Sequence, residues 1–260
     1  MYHNWTQNDI DILKECYPAM PSKEVSLLLG VSAKAVRNKA SSLGVVATQR
    51  DWSFPRGVKT IDPSADVSYL IGAFKGDGSV YRSCGRYMLS FAVKDLEFIE
   101  AVQKAIDRVV SKVPKINRVE NGNHSMLYRM DMSNKDLFTV LNQPLTDLKP
   151  IIERYPMDFL RGFFDAEGTA VTSVRHKKSW SWIDYRVSFY NTKKELLDLV
   201  RELLIRLGIT PAPNYYVTIG NMGKTQQPCY ILSIYKKRAI ARFMKLIVSS
   251  IPRKRLSFDV

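Results

Sequence analysis

Leu70-Ile71-Gly72-Ala73-Phe74-Lys75-Gly76-Asp77-Gly78 and Leu160-Arg161-Gly162-Phe163-Phe164-Asp165-Ala166-Glu167-Gly168 read as two copies of one short helix. Each copy has small residues at its third and seventh positions, large apolar residues between them, and a carboxylate just before a closing glycine. Small residues four apart let two helix backbones approach closely. If the copies pack on each other, Asp77 and Glu167 meet at one end of the pair. Two adjacent carboxylates with little other chemistry nearby suit a hard divalent cation, magnesium above all.

Outward from these helices the chain repeats a plan of helix, two strands, helix, two strands, helix. In the first copy, strands are expected near 79–86 and 87–93, a helix over 96–110, strands near 115–120 and 125–132, and a helix around 135–142. The second copy offers strands near 169–178 and 182–190, a helix over 194–207, strands near 212–219 and 228–235, and a helix near 237–248. Leu89-Ser90-Phe91-Ala92-Val93 aligns with Val187-Ser188-Phe189-Tyr190-Asn191. The offset between copies grows from 90 at the acids to 98 here, so the first hairpin of the second copy is longer by eight residues.

Alternation assigns the faces of the strands. Leu89, Phe91, Val93, Val187 and Phe189 point inward. Met88, Ser90, Ala92, Arg129, Asp131, Arg186, Ser188, Tyr190 and Ser233 point outward, giving each sheet one dry face and one polar, often basic face.

Both glycine-containing segments resemble the signature helix of the LAGLIDADG homing endonucleases, whose single-chain form carries two copies. The resemblance implies an α+β fold of tandem pseudo-twofold αββαββα repeats forming two antiparallel-sheet DNA saddles, here preceded by a small three-helix domain. It divides the chain into residues 1–45, a linker over 46–66, and repeats over 67–155 and 156–260. It also implies a monomeric, magnesium-dependent, site-specific DNA endonuclease that acts on a long, nearly asymmetric target. Such an enzyme cuts both strands across the minor groove and leaves short 3′ overhangs. Asp77 and Glu167 would be the metal ligands, helped by the carbonyls of Gly76 and Ala166. Basic groups of the family around the metals map onto Lys149 and Lys254 after the last helices, and onto Lys193 at a strand end where the first copy has Asp95 instead. Lys75 stands where the family often has an acid, and Asp165 keeps it. These departures make the two half-sites chemically unequal.

The 260 residues carry 39 Lys+Arg against 25 Asp+Glu, a net charge of +14 that favours a polyanionic partner. Apolar residues make up 45%, an ordinary globular share, yet no run reaches membrane-spanning length and no signal peptide opens the chain. An intracellular protein with double-stranded DNA as partner is therefore expected. Cys16, Cys84 and Cys229 lie far apart and do not cluster with His3, His124 or His176, so zinc-ligand spacing is absent.

The first 45 residues read as three short helices. Thr6 and Asp9 form a capping-box pattern before Ile10 and Leu13, Ser22 opens a second helix with Val25, Leu28 and Leu29, and Ser32 caps a third with Val36, Ala40 and Leu43. This is helix-turn-helix spacing, and the segment resembles small Myb-like domains. Lys34, Arg37, Asn38 and Lys39 are of the types that reach phosphates and base edges. Arg50, Arg56 and Lys59 in the linker, with Arg82, Arg86, Ser90, Arg118, Arg129, Asp131, Arg175, Lys177, Arg186, Ser188, Tyr190 and Ser233 on the sheets, complete the expected DNA contacts.

Two other readings share the fold: a DNA-binding transcription regulator, whose relatives typically lose the acids, and an intron RNA maturase, for which intron RNA would be a partner. An intein would need a nucleophilic first residue and a terminal His-Asn pair. The ends Met1-Tyr2 and Phe258-Asp259-Val260 point to a free-standing protein.

Overall fold

The computed structural model describes residues 3–18, 20, 22–45, 59–83, 85–120, 126–177, 180–219 and 228–256. The chain divides into two compact units, Met1–Arg56 and Gly57–Val260. Among the described residues no helix is long and apolar enough to cross a membrane.

The first unit holds α1 (Gln7–Cys16), α2 (Ser22–Leu29) and α3 (Ala33–Ser42) around Leu13, Tyr17, Val25, Leu29, Val36 and Ala40. The capping box forms in full: Asp9 N–H donates to Thr6 Oγ1 at 3.2 Å, and Thr6 N–H to Asp9 Oδ2 at 2.9 Å. Ser32 Oγ likewise accepts from Ala35 N–H. Leu28, expected inside, is exposed, and Ser26 turns inward in its place. Ser26 avoids an unpaired hydroxyl by donating to Lys23 O at 2.6 Å.

The second unit is built on α4 (Ala65–Gly76) and α8 (Pro156–Glu167). Ser64 caps α4, which starts two residues earlier than the linker boundary at 66 implies. Lys59 N–H donates to Asp136 Oδ1 at 2.9 Å and Ile61 packs on the core, so residues 59–64 already belong to this unit. Each helix is flanked by its own sheet. The first runs β1-β2-β4-β3, from β1 (Gly78–Ser83), β2 (Arg86–Val93), β3 (Ile116–Glu120) and β4 (Met126–Ser133). The second runs β5-β6-β8-β7, from β5 (Gly168–Lys177), β6 (Trp180–Asn191), β7 (Tyr216–Ile219) and β8 (Pro228–Ile234). All pairs are antiparallel.

The same strand order in both sheets carries the internal repeat into three dimensions. Gly78 faces Phe91 and Gly168 faces Phe189 across equivalent strand pairs. Helices α5 (Leu96–Val110), α6 (Lys135–Leu141), α9 (Lys194–Arg206) and α10 (Lys237–Leu246) cover the inward faces. Phe163, Phe164, Phe189 and Phe243 interlock there, with Phe164 and Phe243 edge-to-face at 4.9 Å.

One helix, α7 (Leu145–Arg154), stands outside the repeated plan. Pro150 inside it reads as a breaker because it removes a main-chain donor. Burial of Leu148 and Ile152 holds the helix regardless.

Candidate metal centre and nucleic-acid face

The two glycine-bearing helices are in backbone contact. A Cβ on Gly72 would lie 2.2 Å from Phe159 O, and one on Gly162 would lie 2.1 Å from Tyr69 O. No side chain fits such gaps, so the glycines set the interhelical distance. At the ends of the pair, a Cβ on Gly76 would lie 2.4 Å from Ala166 Cβ and 3.0 Å from Glu167 Cγ. The carbonyl-bearing residues Gly76 and Ala166 therefore meet beside the acids. Asp77 caps α4 and Glu167 is the last residue of α8, each at the negative end of a helix dipole.

Glu167 is pushed up to about 7, by burial first and then by the charge of Asp77, with Lys254 and Asn191 opposing. Asp77 is raised as well, by burial and by Asp95. Two half-buried carboxylates facing two helix C-termini form a donor set that lacks a cation partner strong enough to ionise both. A hard divalent ion bound by oxygen ligands fits this chemistry.

Lys254 is the basic residue at the site. It sits in a 3₁₀ turn (Pro252–Lys254), is 4% exposed, and donates from Nζ to Phe164 O at 3.0 Å and Asp165 O at 2.7 Å. Burial lowers it to about 8, while Asp165, Asp95 and Asp77 pull the other way. Its ammonium adds a donor to carbonyls of the last turn of α8, where Phe164 O also accepts from Gly168 N–H.

The segment carrying Lys254 is anchored by Asp165. That buried carboxylate accepts from Ser249 Oγ, Ser250 N–H, Ser250 Oγ at 2.6 Å and Tyr69 Oη at 3.1 Å. In the first repeat Lys75 makes the mirrored tie with opposite polarity, donating to Leu141 O at 3.3 Å and Gln143 O at 2.9 Å. The lysine at this position is thus structural in its own half. Asp165→Ala is expected to cost about 2–4 kcal/mol, because it strands three hydroxyls and the half-buried Ser250 N–H. Urea unfolding of Asp165→Ala beside Asp165→Asn measures this, with the amide recovering part of the loss.

The remaining basic candidates have other surroundings. Lys149 lies on α7 and pairs with Glu202 at 3.2 Å and Glu153 at 3.7 Å. Lys193 is exposed at the start of α9, and its charge bears on Lys75. Asp95 is engaged by Arg253 in a two-pronged ion pair at 2.7 and 2.9 Å.

The outward sheet faces also need revision. Ser188 and Ser233 are 1% and 4% exposed and bond each other at 2.8 Å, so they are closed to a ligand. Arg82 and Arg118 lie on the inward side, because register places them beside Tyr87 and Tyr128, in line with Leu89 and Met130. Arg82 Nη2 donates to Tyr87 Oη at 3.0 Å. Arg129 and Asp131 are both exposed but pair with each other at 2.7 Å, and Asp131 also engages Ser90 across the strand. Arg86, Arg175, Lys177, Arg186 and Tyr190 occupy the outward faces as expected.

That face carries an aromatic pair absent from the sequence candidates. Trp180 and Trp182, 57% and 40% exposed, stack at 4.6 Å opposite Lys177 and Arg175. The signal was available, since the hairpin they share holds the eight-residue excess of the second copy.

In the first unit Lys34, Arg37 and Asn38 are exposed along α3, with Arg37 donating to Ser22 Oγ at 3.2 Å. Lys39 turns away, over the Trp5 ring at 5.8 Å. Arg50 and Arg56 lie outside the described residues, and Lys59 is exposed.

Comparison with known proteins agrees with the repeat. The chain is 29% identical over 204 residues to the uncharacterized protein MJ0398 of Methanocaldococcus jannaschii, covering 75% of this chain and 70% of that protein. Among solved structures, the homing endonuclease I-DmoI with DNA and Mn is 22% identical at a TM-score of 0.49, covering 72% of this chain and 98% of the other. Full-length DUF199/WhiA from Thermatoga maritima is 18% identical at the same TM-score, covering 76% of this chain and 59% of the other. Residues 64–144 and 154–248 each match the LAGLIDADG-like domain, one match per glycine-bearing helix and its sheet. The chain belongs to the LAGLIDADG-like family.

Proposed function

We propose that this protein is a divalent-metal-dependent, site-specific double-strand DNA endonuclease. The observation that carries the reading is the joined pair Asp77 and Glu167, buried enough to resist ionising together and set between two packed helix ends. A protein that only bound DNA would gain nothing from this arrangement, which costs stability at neutral pH.

Asp77 and Glu167 hold the cation, with Gly76 and Ala166 carbonyls beside them. A divalent cation held there would supply charge relief on the phosphoryl oxygens and acidify the attacking water. Lys254 holds the C-terminal carbonyls of α8 in place and brings one positive charge to the acids. Arg86, Arg175, Lys177, Arg186 and Tyr190 on the outward sheet faces engage the duplex. Trp180 and Trp182 extend that surface at one end with apolar contact. The three-helix unit adds affinity through Lys34, Arg37 and Asn38 on α3. The protein works as a monomer, since one chain supplies both acids.

The test is cleavage of genomic DNA that lacks the gene, with ends mapped by sequencing, in magnesium and in calcium. Discrete breaks with short 3′ overhangs that require magnesium are expected. Asp77→Asn or Glu167→Gln should each lower the rate by roughly a thousandfold. Tight DNA binding with no breaks in any metal would sink the nuclease and favour a regulator.

A further inference from the structure

We infer that Asn191 positions the Glu167 carboxylate, and that the lack of a counterpart in the first repeat makes the two halves of the acid pair unequal. The inference rests on the reading of the acids as cation ligands. Asn191 is the last residue of β6 and is buried. Its Nδ2 donates to Glu167 Oε1 at 3.0 Å, while its Oδ1 accepts from Lys193 N–H at 2.8 Å. The two bonds have opposite sense, so they fix the amide's orientation. Turned over, it would set oxygen against carboxylate and an NH₂ against a main-chain N–H. One oxygen of Glu167 is thereby held, the carboxylate plane is set, and the other oxygen is left for a cation.

Strand register identifies what the first repeat has at this place. Gly78 faces Phe91 as Gly168 faces Phe189, and two residues further along stand Val93 and Asn191. Val93 is buried and its side chain has no donor. Among the described residues, no side chain hydrogen-bonds the Asp77 carboxylate, whose environment consists of burial and the charges of Lys254 and Asp95. One acid is pre-oriented and the other is not. Partners that orient a ligating carboxylate are typically worth about ten- to a hundredfold in metal affinity. Glu167 is therefore the better-oriented of the two ligands that share the cation, and Asp77 the less constrained one. This is an asymmetry of position, separate from the one at Lys75 and Asp165.

Asn191 also has a structural task, because its Oδ1 closes the turn into α9. The test must separate the two. Mn²⁺ binding to the full chain is measured by calorimetry for wild type, Asn191→Val and Val93→Asn, alongside thermal unfolding of each in EDTA. Asn191→Val copies the first repeat and is expected to weaken Mn²⁺ binding about ten- to a hundredfold. Val93→Asn should tighten it. Loss of stability in EDTA with Mn²⁺ affinity unchanged in both variants would reduce Asn191 to a turn residue and overturn the inference. Failure of wild type to bind Mn²⁺ is a distinct result, which overturns the cation reading and this inference with it.

Discussion

Gly162→Ala is expected to destabilise the second unit by about 3–5 kcal/mol, enough to lower its unfolding temperature by roughly 6–20 °C. The direction is opposite to the ordinary effect of this change. In a helix interior, alanine is better than glycine by about 1 kcal/mol. Here the added methyl would lie 2.1 Å from Tyr69 O and 2.9 Å from Ala73 N, both main-chain atoms of the facing helix. A flexible side chain could swing aside, but a helix backbone moves only with everything packed on it. Gly72→Ala meets Phe159 O and Phe163 N in the same way and should cost a similar amount. Gly76→Ala meets Ala166 Cβ and Glu167 Cγ instead, so it should disturb the acids more than the core. Thermal unfolding by circular dichroism ranks the three. Equal or greater stability for Gly162→Ala would mean that α4 and α8 do not pack this closely in solution.

Glu167→Gln is expected to make the metal-free protein more stable at pH 8 while removing its stabilisation by divalent metal. Burial and Asp77 raise Glu167 to about 7 from an ordinary value of 4.5. Between those values the folded protein holds a proton that the unfolded chain has released. Stability therefore falls as pH rises from about 4.5 to about 7, and the loss is complete above that. Asp77, raised by burial, acts with the same sign. The full shift corresponds to about 3 kcal/mol, and solvent reaching the half-buried carboxylate reduces this to about 1–2 kcal/mol. Glutamine keeps the shape and cannot ionise, so it recovers that amount at pH 8 and almost none near pH 4.5. Added Mg²⁺ should raise the unfolding temperature of wild type at pH 8 and leave Glu167→Gln nearly unmoved. Urea unfolding across this pH range in EDTA provides the check. A wild type whose stability rises from pH 5 to 8 in EDTA would contradict the burial of the pair.

The mirrored glycines, the carboxylates one residue before a closing glycine, and two series of strands in the same order could all be read directly. They are local or periodic features, and the constraints behind them are local too: close helix approach demands small residues, and a half-buried strand demands alternation. The acid pair Asp77 and Glu167 belongs to this class, because its position follows from the ends of two helices that must touch. Resemblance to the family likewise pointed to Lys254.

What needed the tertiary structure was whatever depended on which neighbour a side chain finds. Lys149 and Lys254 look alike in sequence, yet α7 carries one to a surface ion pair with Glu202 while a 3₁₀ turn buries the other against α8. Ser188 and Ser233 alternate outward but meet across two strands and satisfy each other. Arg118 is exposed and Arg82 half-buried, both on the side of the sheet that strand register alone decides. The grip of Asn191 on Glu167 joins residues 24 positions apart at the end of a hairpin whose length the first copy does not share. Sequence periodicity sets which face a residue belongs to and where an element ends. Pairing of polar and charged groups is set by the few ångströms between particular atoms, which only the packed chain fixes.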